Sequence, residues 1–167
     1  CRSRSRRQKL AHKAKGVLKM KKVIIISPHP DDETLGAGGT IAKFAKMGAN
    51  VSILVISGHL PPLYKRKDFE ITKNEAIEAF KVLGVNEWKF LEIPATTVHV
   101  TPVAELNKKI GDFIASKKPE LVLIPFPDRH IDHRTIFDSS VVCCRPINID
   151  YPKTILAYET LSETHWN

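Results

Sequence analysis

Cysteine is scarce in this chain of 167 residues: Cys1 is terminal, and Cys143 and Cys144 are adjacent. That spacing supports neither a disulfide framework nor a Cys-based zinc site. Long apolar runs are missing too. None approaches the roughly 20 residues that cross a bilayer, and the start lacks the apolar stretch of a secretory signal. Both absences lead to the expectation of a cytoplasmic protein with no membrane span. Compositional extremes are also lacking. Hydrophobic residues make up 43% and charged residues 26%, which excludes wholesale disorder, a collagen-like chain and a disulfide miniprotein. The length suits one domain.

Acid is absent from the first 22 residues, which hold ten cations. The formal charge of +8 therefore belongs to one short segment, and the remaining 16 cations and 18 acids leave a body at −2. A nucleic-acid module would spread cations over the body, so no nucleic-acid partner is expected. The chain opens on Cys1, while Met20-Lys21-Lys22 runs straight into Val23-Ile24-Ile25-Ile26, like a natural start entering a strand. Residues 1–19 read as a basic extension, disordered or non-native, and residues 20–167 as the domain.

Residues 23–27, 51–56 and 121–124 are continuous apolar, β-branched runs, the pattern of strands buried on both faces and usually parallel. Weaker strands are expected over 88–93 and 154–158. Between the strands lie helical patterns: Ile41, Phe44 and Ala45 ending near Gly48; Ile77, Phe80 and Leu83 ending at Gly84; Val103, Leu106, Ile110, Phe113 and Ile114 ending before Pro119; and a helix near 135–142. The alternation predicts a doubly wound α/β sheet. Long loops at 58–68 and 94–101 both follow strands. In such sheets ligands bind beyond the strands' carboxyl ends, between the first strand and the one that crosses to its other side.

Directly after the first strand stands Ser27-Pro28-His29-Pro30-Asp31-Asp32-Glu33, with one imidazole and three carboxylates in five positions. Three adjacent acids repel one another, and a cation or a proton must relieve them. Capping of the following helix is the competing explanation, yet capping needs one acid and no His. After the strand at 121–124 comes Asp128-Arg129-His130-Ile131-Asp132-His133-Arg134, again at a carboxyl end before a helix. If these two strands are neighbours, His29, Asp32 and His133 converge as two nitrogens and one oxygen with an open position, a catalytic metal arrangement. Arg129, Arg134, Lys65, Arg66 and His59 are further candidates for substrate contact, the loop cations by meeting a phosphate or nucleotide on the substrate. Solvated charge is the competing reading for all four cations.

The Pro28–Glu33 stretch, with His130-Ile131-Asp132-His133, resembles the LmbE-like, or PIG-L, family of zinc-dependent N-acetylglucosaminyl deacetylases. Gly36-Ala37-Gly38-Gly39-Thr40, Glu75-Ala76, Leu83-Gly84-Val85 and Tyr158-Glu159-Thr160 follow in the family's order. The resemblance implies a Rossmann-like, mainly parallel, three-layer α/β/α fold and a small N-acetylated amino-sugar substrate. It also implies that His29, Asp32 and His133 bind Zn2+ and that Asp31 is the general base as activated water attacks the acetamide. His130 matches the position of a donor to the oxyanion, and Asp132 would orient an imidazole. Two His and one carboxylate also suit Fe2+. Two departures stand out: Thr72 occupies a position where relatives often carry Arg, and the chain ends at Asn167, where further strand and helix usually follow. A partial frame lacking that C-terminal portion is expected. Hydrolysis of another amide or acyl group, or an inactive fragment acting only as a binding module, remain alternatives, and a homo-oligomer is compatible with the sequence.

Overall fold

A computed structural model describes residues 20–147 and 150–164. The expected extension at 1–19 lies outside the described residues. Five strands alternate with helices: β1 (Lys22–Ser27), α1 (Asp32–Lys46), β2 (Asn50–Gly58), α2 (Arg66–Leu83), β3 (Glu87–Pro94), α3 (Val103–Lys117), β4 (Leu121–Pro125), α4 (Ile131–Cys143), β5 (Thr154–Tyr158) and a short α5 (Leu161–Thr164). The sheet is parallel throughout, in the order β3-β2-β1-β4-β5. It is the doubly wound arrangement that the alternation predicted.

The two faces of the sheet explain the continuous apolar runs. In β1, Val23 and Ile25 pack with Ile41 and Phe44 of α1 and Phe80 of α2. Ile24 and Ile26 point the other way, to Leu106, Ile110 and Ile114 of α3 and Ile136 of α4. All four β1 side chains are at most 1% exposed. Because side chains alternate faces along a strand, only a strand covered on both sides needs every position apolar. Each such burial contributes about 1.5–3 kcal/mol. The edge strand β5 differs, with Ile155 and Leu156 exposed.

Chain reversal falls between β1 and β4: α1 and α2 wind to one side, α3 and α4 to the other. The β1 and β4 ends therefore open side by side, with a crevice between their loops. Two glycines permit close packing near the strands' carboxyl ends. A Cβ on Gly36 would meet the Tyr158 ring at 2.5 Å, and one on Gly58 would meet the Phe69 ring at 2.5 Å. Tyr158 in turn donates its hydroxyl to the Ile26 carbonyl at 3.0 Å, tying the end of β5 to β1.

The loop expected over 58–68 is shorter than its composition suggests. Arg66 already begins α2, because the Lys65 amide donates to the Asp68 carboxylate at 3.1 Å and so starts the helix. The 94–101 loop contains a single 3-10 turn at Val98–Val100. On β3 one extra residue intervenes between the pairs Val55↔Phe90 and Ser57↔Ile93, and Glu92 within that bulge has φ +56°. No helix among the described residues is long and apolar enough to cross a membrane.

Candidate metal centre

The three acids after β1 relieve their repulsion by pointing three ways. Glu33 turns inward, fully buried, with Ser27 Oγ at 2.7 Å and Thr34 Oγ1 at 2.7 Å. Burial raises its carboxyl above the usual range although both hydroxyls donate to it. Asp32 faces the crevice: its Oδ2 accepts from the His29 amide at 3.0 Å and lies 3.0 Å from His29 Nδ1 and 3.1 Å from His133 Nε2. Burial opposes its charge, but His133 and His29 hold it well below the ordinary carboxylate range. Asp31 stays at the surface with φ 142°, a backbone region that favours glycine and carries strain in any other residue. Its carbonyl accepts the first helical bonds of α1, from Thr34 and Leu35, whereas its side chain makes no capping bond. Partial shielding of the carboxyl and the nearby Asp32 and Glu33 charges raise it to about 6.

After β4, Asp128 organises the second motif. Its Oδ1 accepts from the His130 amide at 2.9 Å and its Oδ2 lies 2.7 Å from His133 Nδ1. A carboxylate at Nδ1 fixes the proton there and leaves a lone pair on Nε2. His29 is held in the mirror sense: Asp132 Oδ2 lies 3.1 Å from Nε2, and Nδ1 is the nitrogen turned toward Asp32 Oδ2. Asp132 is fully buried and also accepts from the Thr96 amide at 2.6 Å; Thr96 has φ +64°. Burial opposes charge on both imidazoles, yet the flanking carboxylates prevail, raising His133 and bringing His29 to about 9.

His130 behaves differently. It caps α4, its Nδ1 accepting from the Asp132 amide at 3.2 Å, which places its own proton on Nε2. Burial and the neighbouring His29 lower its pKa, which favours the neutral form. The nitrogens of His29, His130 and His133 lie within 4.8 Å of one another.

These residues fit a small divalent cation. His133 Nε2 is buried without a hydrogen-bond partner, although it is 3.1 Å from Asp32 Oδ2. Bonds of about 2.0–2.2 Å put tetrahedral donors about 3.3 Å apart, close to the 3.0 and 3.1 Å that separate Asp32 Oδ2 from His29 Nδ1 and His133 Nε2. Each imidazole has a carboxylate on its far nitrogen, the usual support of a ligating histidine.

Comparison with known proteins decides the family. Residues 24–143 match the PIG-L family, described as GlcNAc-PI de-N-acetylase. The chain belongs to the PIG-L family. This PIG-L protein is 30% identical over 152 residues to the uncharacterized deacetylase YaiS of Escherichia coli, covering 86% of this chain and 76% of that one. It is 34% identical to the diacetylchitobiose deacetylase of Thermococcus kodakarensis over 69% of this chain and 46% of that enzyme. Among solved structures, the N,N'-diacetylchitobiose deacetylase of Pyrococcus horikoshii superposes with a TM-score of 0.70 at 27% identity, over 84% of this chain and 61% of that one. The chain thus spans about half to three quarters of these relatives.

The other sequence candidates separate by position. A cavity of about 230 Å³ beside the cluster is lined by His29, Asp31, Asp32, His130 and, as the sequence reading allowed, His59. Lys65, Arg66, Arg129 and Arg134 are not among its described lining residues. Arg66 pairs with Glu70 and Glu92, at 2.9 and 2.8 Å, and Arg134 donates to the carbonyl of Asp128 at 3.0 Å. Thr72 bonds within its own helix, to the Phe69 carbonyl. Sequence reasoning missed the orienting position of Asp128, the Thr96 amide, and the cavity walls formed by Tyr64 and Glu163. Only Asp128 carried a signal, an acid five residues before a candidate ligand.

Proposed function

We propose that this chain is a zinc-dependent N-deacetylase hydrolysing the acetamide of an N-acetylglucosamine-type sugar. The observation that carries the reading is the convergence of His29 Nδ1, Asp32 Oδ2 and His133 Nε2, with the far nitrogen of each imidazole held by Asp132 or Asp128. The names of the relatives supply the reaction class: diacetylchitobiose deacetylase and 1D-myo-inositol 2-acetamido-2-deoxy-alpha-D-glucopyranoside deacetylase.

In this reading His29, Asp32 and His133 hold the cation. A bound zinc ion supplies Lewis acidity, lowering the pKa of water and polarising the acetamide carbonyl. Asp31, with a carboxyl at about 6, is ionised at neutral pH. It takes the proton of the attacking water and returns it to the departing amine, acting as base and then as acid. His130, neutral and protonated on Nε2, donates to the oxygen on which negative charge develops. Asp132 and Asp128 keep His29 and His133 in the tautomers that ligation needs.

The test is acetate release from N-acetylglucosamine and N,N'-diacetylchitobiose by protein loaded with zinc or, anaerobically, with ferrous iron. Acetate formation that stops on chelation and returns with zinc is expected. Fully loaded protein that releases no acetate from either sugar overturns the proposal.

A further inference from the structure

The loop after β2 presents an exposed aromatic that the core does not account for. Tyr64 retains 40% exposure, yet its position is fixed: its amide donates to the Leu60 carbonyl at 3.2 Å, and Leu60 is 4% exposed. His59 lies against it, with ring centroids 4.4 Å apart and planes inclined by 56°. Both rings line the cavity that holds Asp31, Asp32 and His130. β2 adjoins β1 on the side away from β4, so the ring pair walls the cavity on the flank opposite the second motif.

Resting on the deacetylase reading above, we propose that Tyr64, braced by His59, is the platform on which the apolar face of a neutral pyranose lies while its acetamide reaches the His29–Asp32–His133 cluster. One face of a pyranose is a sheet of C–H groups with slight positive character. It complements the electron-rich face of a phenol ring. A tyrosine ring with few rotatable bonds gives that contact at small entropic cost. The cavity, at about 230 Å³, falls below the roughly 300–1,000 Å³ of pockets for drug-sized ligands and suits one sugar ring. No Lys or Arg is among the described walls to pair with a phosphate or carboxylate on the sugar, so the ring pair fits a neutral ring.

Saturation-transfer NMR on the zinc-loaded protein with N-acetylglucosamine reads the contact directly, alongside acetate kinetics. In Tyr64→Ala, saturation of the ring protons falls and KM rises about threefold to tenfold, with kcat within about twofold. Tyr64→Phe, which keeps the ring, restores both, and circular dichroism checks that both variants fold. Unchanged ring saturation and KM in Tyr64→Ala overturn the platform. So does tighter binding of N-acetylglucosamine 6-phosphate than of N-acetylglucosamine that persists in the zinc-free protein. A wild type that releases no acetate sinks the deacetylase reading instead, and ring saturation then still judges the platform by itself.

Discussion

At the ends of β1 and β4, His29, His133, Asp32, Asp128 and Asp132 approach one another at 2.7–3.1 Å, with side-chain exposures between 0 and 17%. Beside β3, Arg66, Lys73, Glu70 and Glu92 pair at 2.8–2.9 Å with exposures between 26 and 55%. The distances are alike and the consequences are not. The surface group balances two cations against two acids in solvent, where each pair contributes little. The buried group sets three carboxylates against two imidazoles, and excess negative charge that solvent screens poorly is costly. In the proposed function, a divalent cation supplies the balancing charge. Proximity of opposite charges alone therefore does not identify a functional site; burial with an imbalance of charge does.

The sharpest separation within the buried group is between holding the cation and using it. His133→Ala removes a donor nitrogen, and zinc content after purification and dialysis should fall to near zero. Asp31→Ala should keep its zinc while turnover drops by about 10²–10⁴. Equal metal loss in both variants would sink the division of roles. Because Asp31 must be ionised to accept a proton, wild-type turnover should also decline as pH falls through about 6. The residual activity of Asp31→Ala should lack that limb.

Asp128 tests whether a carboxylate that touches only the far side of an imidazole belongs to the functional group. Asp128→Asn keeps an oxygen for the His130 amide but removes the negative charge 2.7 Å from His133 Nδ1. Zinc affinity, measured by competition with a chelator, should weaken about 10–100-fold. Unchanged affinity would make Asp128 a loop-building residue only.

Much of this arrangement is legible in the sequence. The strands at β1, β2 and β4 could be read because doubly covered strands leave a continuous apolar run. The pairing of the two motifs could be read because parallel winding brings the ends of β1 and β4 together. What stayed hidden has physical reasons. The Thr96 amide reaches Asp132 through a backbone group, and backbone groups have no sequence identity. Glu33 reads only as one of three adjacent acids, and its contacts with Ser27 and Thr34 are what place it under the loop. Tyr64 reaches the cavity from a connection and Glu163 from the four-residue α5, and no periodicity sets the course of either. Lys65 and Arg66 looked like rim charge, but the early start of α2 carries Arg66 onto Glu70 and Glu92.

The surface group supplies the smallest expected effect, and its pH dependence has a definite sign. Lys73 at 2.8 Å, opposed by slight burial and reinforced by Arg66, lowers the Glu92 carboxyl below its ordinary 4.5. A carboxyl whose folded pKa is depressed stabilises the fold fully above the unfolded value and loses that contribution as pH falls through the folded value. Glu92→Gln should therefore lower the melting temperature at pH 7 by about 2–4 °C at most. The difference from wild type should vanish as the pH drops below 4.5 toward the folded value. Zinc content and kcat/KM should not change, since Glu92 is not among the described residues lining the cavity. If Glu92→Gln instead lost zinc or turnover, the two charged groups would be coupled through the β3 bulge, and the contrast between them would fail.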